Sequence, residues 1–202
     1  MIFNYNSIID IKKIKRLTKI KKLKILDFGC GTGVWSEEDI KSKDVEKIIL
    51  YDKNKLLIKF LKKKYNQKKI EINFNFKNIV KKKNYNLVIL SSVIQYMNIL
   101  KFKKLIEALN KNKKKQNKKL FIIITDIPTL PRTFEFFLMP FFNLKRFFFS
   151  FKIIFNNEYQ KLDYYLHNRN DFIFLKKKFD FKYSKNIHDL KYLRYSLILK
   201  SK

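Results

Sequence analysis

The sequence predicts a three-layer α/β sandwich, in which helices cover both faces of a mostly parallel, seven-stranded sheet with an antiparallel last strand. Short apolar runs alternate at least four times with segments of helical spacing. The runs are apolar almost without interruption, which is typical of strands buried on both faces. The chain's three glycines all follow the first run directly. This pattern indicates one domain over residues 1–202.

Each element is predicted from its spacing and its flanking residues. Apolar residues at helical spacing predict an amphipathic N-terminal helix within 1–22. Asn54 is a suitable N-cap for the helix that follows the second strand. Strands are predicted at 24–28, 47–52, 70–76, 85–91 and 119–125, and the remaining helices between them at 34–42 and 102–113.

The pattern changes after the fifth strand. Residues 127–169 contain all three prolines and a dense group of phenylalanines, which predicts a Phe-rich helical insert that forms a cap or lid. Asn168 or Asn170 is expected to cap a helix that ends near Lys178. Two final strands, at 180–187 and 193–200, are joined by a short connection and therefore predict an antiparallel pair.

The net charge of +30 has two interpretations. Lys and Arg total 47 against 17 Asp and Glu, which suggests nucleic acid or an anionic membrane as a partner. However, only five of the basic residues are arginines, and the abundant residue types are those of AT-rich codons. A surface selected to bind nucleic acid is expected to use more arginine. We therefore favour compositional drift, with the lysine runs as solvated ends of elements, and keep nucleic acid as the disfavoured alternative.

The rare residue types narrow the class of protein further. One cysteine and two histidines exclude a disulfide scaffold and nearly exclude a His/Cys metal cluster, so no metal is expected.

The first residues have no export signal, and no uncharged stretch is long enough to cross a bilayer. We expect a cytoplasmic protein. Arg and Lys among the phenylalanines of the insert leave peripheral contact with the inner face of the membrane open.

The chemistry is concentrated in residues 27–33, with the sequence Asp-Phe-Gly-Cys-Gly-Thr-Gly. Alternating glycines between a strand and a helix predict left-handed backbone and close approach of a ligand to bare main chain. Parallel sheets bind nucleotides at this turn, on the amides of a helix N-terminus. Asp52 ends the next strand, nineteen residues after Gly33, where a carboxylate hydrogen-bonds ribose hydroxyls.

The glycine spacing differs from the Gly-x-Gly-x-x-Gly fingerprint of dinucleotide-binding proteins, which disfavours a nicotinamide oxidoreductase. The order acid-x-Gly-x-Gly-x-Gly resembles motif I of the class I S-adenosylmethionine-dependent methyltransferases. The resemblance extends over residues 25–33, Asp52, the strand at 84–90 and the final antiparallel pair. It implies a Rossmann-like fold, S-adenosyl-L-methionine as cofactor, and methyl transfer to an acceptor. Asn86 departs from the family pattern, which usually has Asp there.

The resemblance also implies roles for individual residues. The glycines would line the methionine moiety, Asp27 would support its amino group, Asp52 would hold the ribose, and Asn78 would lie near the adenine amino group. The cofactor-binding residues implied in this way are Asp27, Gly29, Cys30, Gly31, Gly33, Asp52, Asn78 and Ser91. The end of strand four would face the methyl group, and the acceptor would contact Ser92, Gln95 and Tyr96.

Candidates for a general base are His167, His188 and Asp189, since an oxygen nucleophile needs its proton removed. A structural role for both histidines is the alternative, and an amine or carboxylate acceptor needs no strong base. The expected acceptor is a small molecule, a glycan precursor or a lipid-linked compound, methylated on oxygen or nitrogen. A nucleic-acid methyltransferase and a non-catalytic cofactor-binding interaction protein are the alternatives.

Overall fold

The computed structural model describes residues 11–33, 36–82, 84–114, 119–128, 165–185 and 194–202. The strands are β1 (Leu23–Phe28), β2 (Val45–Tyr51), β3 (Ile70–Asn73), β4 (Leu87–Ser91), β5 (Phe121–Pro128), β6 (Phe179–Lys185) and β7 (Arg194–Ser201). The helices are α1 (Ile11–Thr18), α2 (Ser36–Lys41), α3 (Lys55–Lys64), α4 (Phe76–Lys82) and α5 (Ile99–Lys114), with 3₁₀ segments at Ile94–Tyr96 and Arg169–Lys177.

The seven strands form one sheet in the order β3-β2-β1-β4-β5-β7-β6. β1 to β5 are parallel, and β7 lies antiparallel between β5 and β6. The predicted fold class and the antiparallel final pair are therefore confirmed. The chain moves outward in one direction from β1 to β3 and in the other direction from β4 to β5. The strand order thus reverses between β1 and β4, where such sheets form a crevice at their carboxyl ends.

Apolar residues on the two faces of the sheet form two separate cores. Successive side chains of a strand point to opposite faces, so Leu26 and Phe28 belong to one core and Ile25 to the other. Ile25 and Leu26 are both almost completely buried. Each such side chain contributes on the order of 1.5–3 kcal/mol by leaving water. The two cores fix β1 between two layers of helix, and so fix the position of the loop that follows it.

Local hydrogen bonds explain where the elements begin. The Asn54 side chain accepts from Leu56 N at 2.9 Å, which confirms the predicted cap of α3. Asn168 forms a reciprocal capping box with Asp171, although the helix it caps is a 3₁₀ helix. Asn86 Oδ1 accepts from Lys24 N at 2.9 Å and thereby joins the starts of β1 and β4.

The predicted end of the third strand at residue 76 was wrong. β3 ends at Asn73, and Phe76 begins helix α4. Asn75 N donates to the Asn73 side chain at 2.8 Å, and Asn78 N donates to the Asn75 side chain at 3.4 Å. These local bonds give the backbone an alternative to the sheet ladder.

Several predictions lie outside the described residues. They are most of the Phe-rich insert (129–164), the first turn of the N-terminal helix, and the connection that contains His188 and Asp189. Among the residues that are described, no helix has both the length and the apolar character needed to cross a membrane.

Candidate active site

The loop after β1 is tied to the end of β2. Gly29 N and Cys30 N both donate to Tyr51 O, at 2.8 and 3.0 Å. Gly31 has φ +57°, and a Cβ added there would meet no atom within 4 Å. The main chain at Gly31 therefore faces open space, as expected for backbone that a ligand approaches closely.

The other two glycines of the loop face protein atoms instead. A Cβ at Gly29 would lie 2.6 Å from Val93 Cγ2, and a Cβ at Gly33 would lie 3.0 Å from Leu61 Cδ2. Gly29 thus lets the loop pack against the segment after β4, and Gly33 lets it pack against α3. The sequence alone treated the three glycines alike, whereas the structure separates Gly31, whose missing Cβ faces open space, from two glycines that pack against side chains, of which Gly29 also lines the cavity.

Asp52 holds the glycine loop and faces the cavity. Its Oδ2 accepts from Gly31 N at 3.1 Å, and its Oδ1 accepts from Asn54 N at 2.8 Å. Each carboxylate oxygen has two lone pairs. Asp52 therefore has acceptor capacity left for hydroxyl donors of a ligand, beside the open space at Gly31.

A cavity of about 390 Å³ lies beside this loop, at the carboxyl ends of β1, β2 and β4. Such a volume lies within the usual range of small-molecule sites. The Phe28 and Tyr51 rings have centroids 4.6 Å apart and form an apolar wall, which Phe76 extends. The lining residues are Phe28, Gly29, Tyr51, Asp52, Lys53, Ser92, Val93, Tyr96, Met97 and Lys101.

Asp27 lies beneath the loop and is 2% exposed. Burial raises the pKa of Asp27 to about 6; the hydrogen bond from Ser36 opposes the shift, and the negative charge of Asp52 adds to it. Ser36 Oγ donates to Asp27 Oδ2 at 2.5 Å. A cation that arrived beside this carboxyl would favour its ionised form.

Cys30 is buried, and its thiol is poorly suited to act as a nucleophile. Burial raises the pKa of the Cys30 thiol, and the nearby charges of Asp27 and Asp52 raise it further. Because the thiolate is the reactive form of cysteine, the raised pKa makes Cys30 a poor nucleophile. We therefore interpret Cys30 as a residue that packs within the loop.

At the ends of β4 and β5, the predicted Ser92 pairs with Asp126, a residue that the sequence analysis missed. Ser92 and Asp126 both have left-handed backbone, with φ 54° and 65°, and the Ser92 hydroxyl donates to the Asp126 carboxylate. Asp126 lies where the pairing of β5 with β7 shifts register. Strained residues and bulges are common at functional sites. Ser92 and Asp126 each follow an apolar run, and neighbouring parallel strands end at the same edge of a sheet. The sequence alone could therefore have indicated that these two side chains lie close together.

The predicted acceptor-side residues lie near this pair. Tyr96 and Ser92 line the cavity. Ser91 and Gln95 are buried behind the cavity wall, and within the described part of the chain their side-chain oxygens Oγ and Oε1 have no hydrogen-bond partner. Buried polar atoms without partners are rare in folded proteins.

Other predicted site residues are not brought to the cavity. Asn78 is exposed in the first turn of α4. His167 is buried, with Nε2 2.9 Å from Met97 O and 3.1 Å from Ile94 O. Carbonyl oxygens only accept hydrogen bonds, so Nε2 must carry a proton and act as the donor. Nε2 then has no free lone pair with which to take a proton from a substrate. Within the described residues, no three His, Cys, Asp or Glu side chains form a group that could hold a metal.

The fold and this cavity are those of the class of α/β proteins that bind nucleoside-containing ligands at the switch point of the sheet. The chain belongs to the methyltransferase small domain family, whose model matches residues 13–123. The predicted resemblance to class I S-adenosylmethionine-dependent methyltransferases is thus confirmed, and S-adenosylmethionine is the cofactor that this family uses.

Solved structures of methyltransferases share this fold. The methyltransferase domain of bacterial CtHen1-C is 15% identical with a TM-score of 0.59, and the match covers 94% of each chain. Magnesium protoporphyrin IX methyltransferase from Synechocystis, solved with bound SAH, is 14% identical with a TM-score of 0.56, over 94% of this chain and 78% of that one. The N-methyltransferase NodS from Bradyrhizobium japonicum is 9% identical with a TM-score of 0.54, over 98% and 99%. No curated protein sequence matches the chain significantly.

Proposed function

We propose that the protein is an S-adenosylmethionine-dependent methyltransferase that methylates oxygen or nitrogen of a small-molecule, glycan-precursor or lipid-linked acceptor, in the cytoplasm or at the inner face of the membrane. The observation that supports this most directly is the open space at Gly31, next to the carboxylate of Asp52. Gly31 leaves bare main chain beside the Asp52 carboxylate, which can accept hydrogen bonds from two ribose hydroxyls. This combination fits a ribose-containing ligand.

In this proposal, residues at three places hold the cofactor. The Gly31 main chain would contact the methionine moiety, Asp27 would pair with its amino group, and Asp52 would hold the ribose hydroxyls. Phe28 and Tyr51 offer an apolar wall to a planar base. The role of Asn78 near adenine stays a prediction. When bound, the cofactor supplies a methyl group already activated on a sulfonium.

The protein's part in such a reaction is to position the acceptor and to manage its proton. Ser92 lines the cavity and donates to Asp126, so this pair is placed to bind a hydroxyl or amine of the acceptor. We assign the proton-accepting role to the Asp126 carboxylate. His167 has its Nε2 proton engaged with carbonyl oxygens and serves in this proposal to hold the 3₁₀ segment. His188 and Asp189 stay candidates.

A nucleic-acid acceptor is the second candidate, and the net charge of +30 favours it. One structural neighbour, 13% identical with a TM-score of 0.54, is the Pnkp1/Rnl/Hen1 RNA repair complex. The cavity mouth, however, is nearly balanced in charge. Lys53 and Lys101 line the cavity with Asp52, and Asp126 lies behind Ser92. This balance favours a small acceptor over a polyanion at the mouth.

Incubation of the protein with radiolabelled methyl donor and a cell extract, followed by separation of lipid, glycan, small-molecule and RNA fractions, tests the proposal. We expect label in a lipid, glycan or small-molecule fraction, and none with the Gly31→Val variant. Label in RNA alone would support the second candidate. The absence of label in every fraction, from protein that still binds S-adenosylhomocysteine, would favour the non-catalytic alternative.

A further inference from the structure

Lysines are concentrated at the edge of the sheet opposite the cavity. Because β1 to β5 are parallel, the segments that precede them lie at one edge and the cavity residues that follow them lie at the other. The start of β6 and the end of β7 join the first edge, since Phe179 pairs with Ser201 and Phe121 pairs with Lys200. We define the lysine edge as residues 19–22, 41–44, 68–69, 81–82, 176–178 and 200–202.

The two edges differ sharply in charge. Asp44 is the only carboxylate within the lysine edge, and Lys15 Nζ already pairs with it at 2.5 Å. The other charged side chains of the lysine edge are lysines, most of them exposed, and one of them, Lys178, pairs with Glu107 at 3.0 Å. Among the described residues at the cavity edge, Lys53 and Lys101 line the cavity with Asp52, and Asp126 lies near the end of β5. Within the described residues, the lysine edge is therefore more strongly basic than the lining of the cavity.

Helix dipoles explain only part of this distribution. The C-termini of the helices that cross between parallel strands point to the lysine edge, and a cation there stabilises a helix by about 0.3–1 kcal/mol. Residues 200–202, however, end a strand, and residues 176–178 end a 3₁₀ segment. So many like charges on one edge repel each other in the free protein. A bound polyanion would relieve this repulsion.

Although the scarcity of arginine favoured compositional drift, we propose that the lysine edge binds the phosphodiester backbone of nucleic acid without regard to sequence. Lysine contacts phosphate as a point charge, whereas bidentate reading of bases favours arginine. Neighbouring strands are about 4.8 Å apart, so seven strands present a row of charge roughly 30 Å long. That length matches about eight base pairs at 3.4 Å each.

The apolar residues argue against a membrane as the partner of this edge. The described large apolar side chains that are exposed, including Leu56, Phe74 and Leu100, all lie outside the lysine edge. Surfaces that dock on anionic lipid normally insert apolar side chains beside their basic residues. The lysine edge also faces away from the cavity, so nucleic acid bound there is a tether and leaves the cofactor site accessible.

Fluorescence anisotropy with a labelled 20-nucleotide RNA of mixed sequence tests this proposal. The test variant replaces Lys43, Lys68 and Lys200, which are exposed on the lysine edge, with Glu. The matched control replaces Lys55, Lys59 and Lys104, which are exposed on α3 and α5, with Glu, so both variants change the net charge equally. Circular dichroism and thermal melting establish that each variant folds.

We expect wild-type protein to bind at micromolar to submillimolar concentrations at physiological salt. The edge variant should bind at least about tenfold more weakly, and its plot of log affinity against log salt should be flatter by roughly two, since each lost phosphate contact removes about 0.7 for a single strand. The control should change affinity less than about threefold, and saturating RNA should leave S-adenosylhomocysteine binding unchanged. Equal losses in both variants, no RNA binding, or binding only to phosphatidylserine-containing vesicles would each overturn the proposal.

Discussion

The buried carboxyl of Asp27 allows a prediction in which stability and function change in opposite directions. The pKa of Asp27 rises from 3.8 to about 6 because burial removes its hydration. Since the folded protein binds the proton more tightly than the unfolded chain, ionisation of Asp27 costs stability as pH rises through this range. Each pKa unit corresponds to about 1.4 kcal/mol, so the full cost is about 3 kcal/mol above pH 7 and about half of that at pH 5.

Asp27→Asn removes this charge while keeping an oxygen that accepts from Ser36. Urea unfolding followed by circular dichroism should therefore show the variant to be more stable than wild type, by up to about 3 kcal/mol at pH 7.5 and by less at pH 5. The same variant should bind S-adenosylhomocysteine more weakly, because the proposed function pairs the Asp27 carboxylate with the amino group of the cofactor. Asp44→Asn, at a half-exposed ion pair with Lys15, is the control and should change stability by less than about 1 kcal/mol. A variant that is destabilised, or a difference that does not vary with pH, would refute the reasoning.

Two further substitutions test the separate roles of Gly29 and Gly31 in the loop, and a third tests Asp126 in β5. Gly29→Ala should cost roughly 1–3 kcal/mol in urea unfolding, since φ is +75° and its Cβ meets Val93; an unchanged midpoint would contradict this packing. Gly31→Ala should cost only about 1–2 kcal/mol of stability, yet should weaken S-adenosylhomocysteine binding at least about tenfold in calorimetry. Full binding by that variant would show that the space at Gly31 is not ligand space. Asp126→Asn should leave cofactor binding within about twofold and reduce methyl incorporation from the extract; equal losses of both would argue for a structural role.

The sequence was sufficient for the sheet because its strands are continuous apolar runs with clear ends. Ile25 and Leu26 illustrate this, since a strand buried on both faces needs apolar residues at odd and even positions alike. The cap at Asn54 followed equally from local chemistry. The end of β3 could not be predicted in this way. There the side-chain hydrogen bonds of Asn73 and Asn75 compete with the hydrogen bonds of the sheet, and the pattern of apolar residues does not show which of them forms.

The candidate site was predictable where one segment supplies it and less so where several segments meet. The glycine loop and Asp52 are consecutive features of one βαβ unit, and both lie at the cavity. The distinction between Gly31 and Gly29 depends on Val93, which belongs to a distant segment. The pairing of Ser92 with Asp126 likewise depends on the β4–β5 register and on a shift in the pairing of β5 with β7.

Titration calorimetry of the wild-type protein with S-adenosylhomocysteine and, separately, with NAD tests the central claim most directly. Since we propose that Gly31 and Asp52 hold the methyl donor, we expect saturable one-to-one binding of S-adenosylhomocysteine and no measurable heat with NAD. Equal affinity for the two ligands, or binding of neither by folded protein, would contradict the assignment of this site.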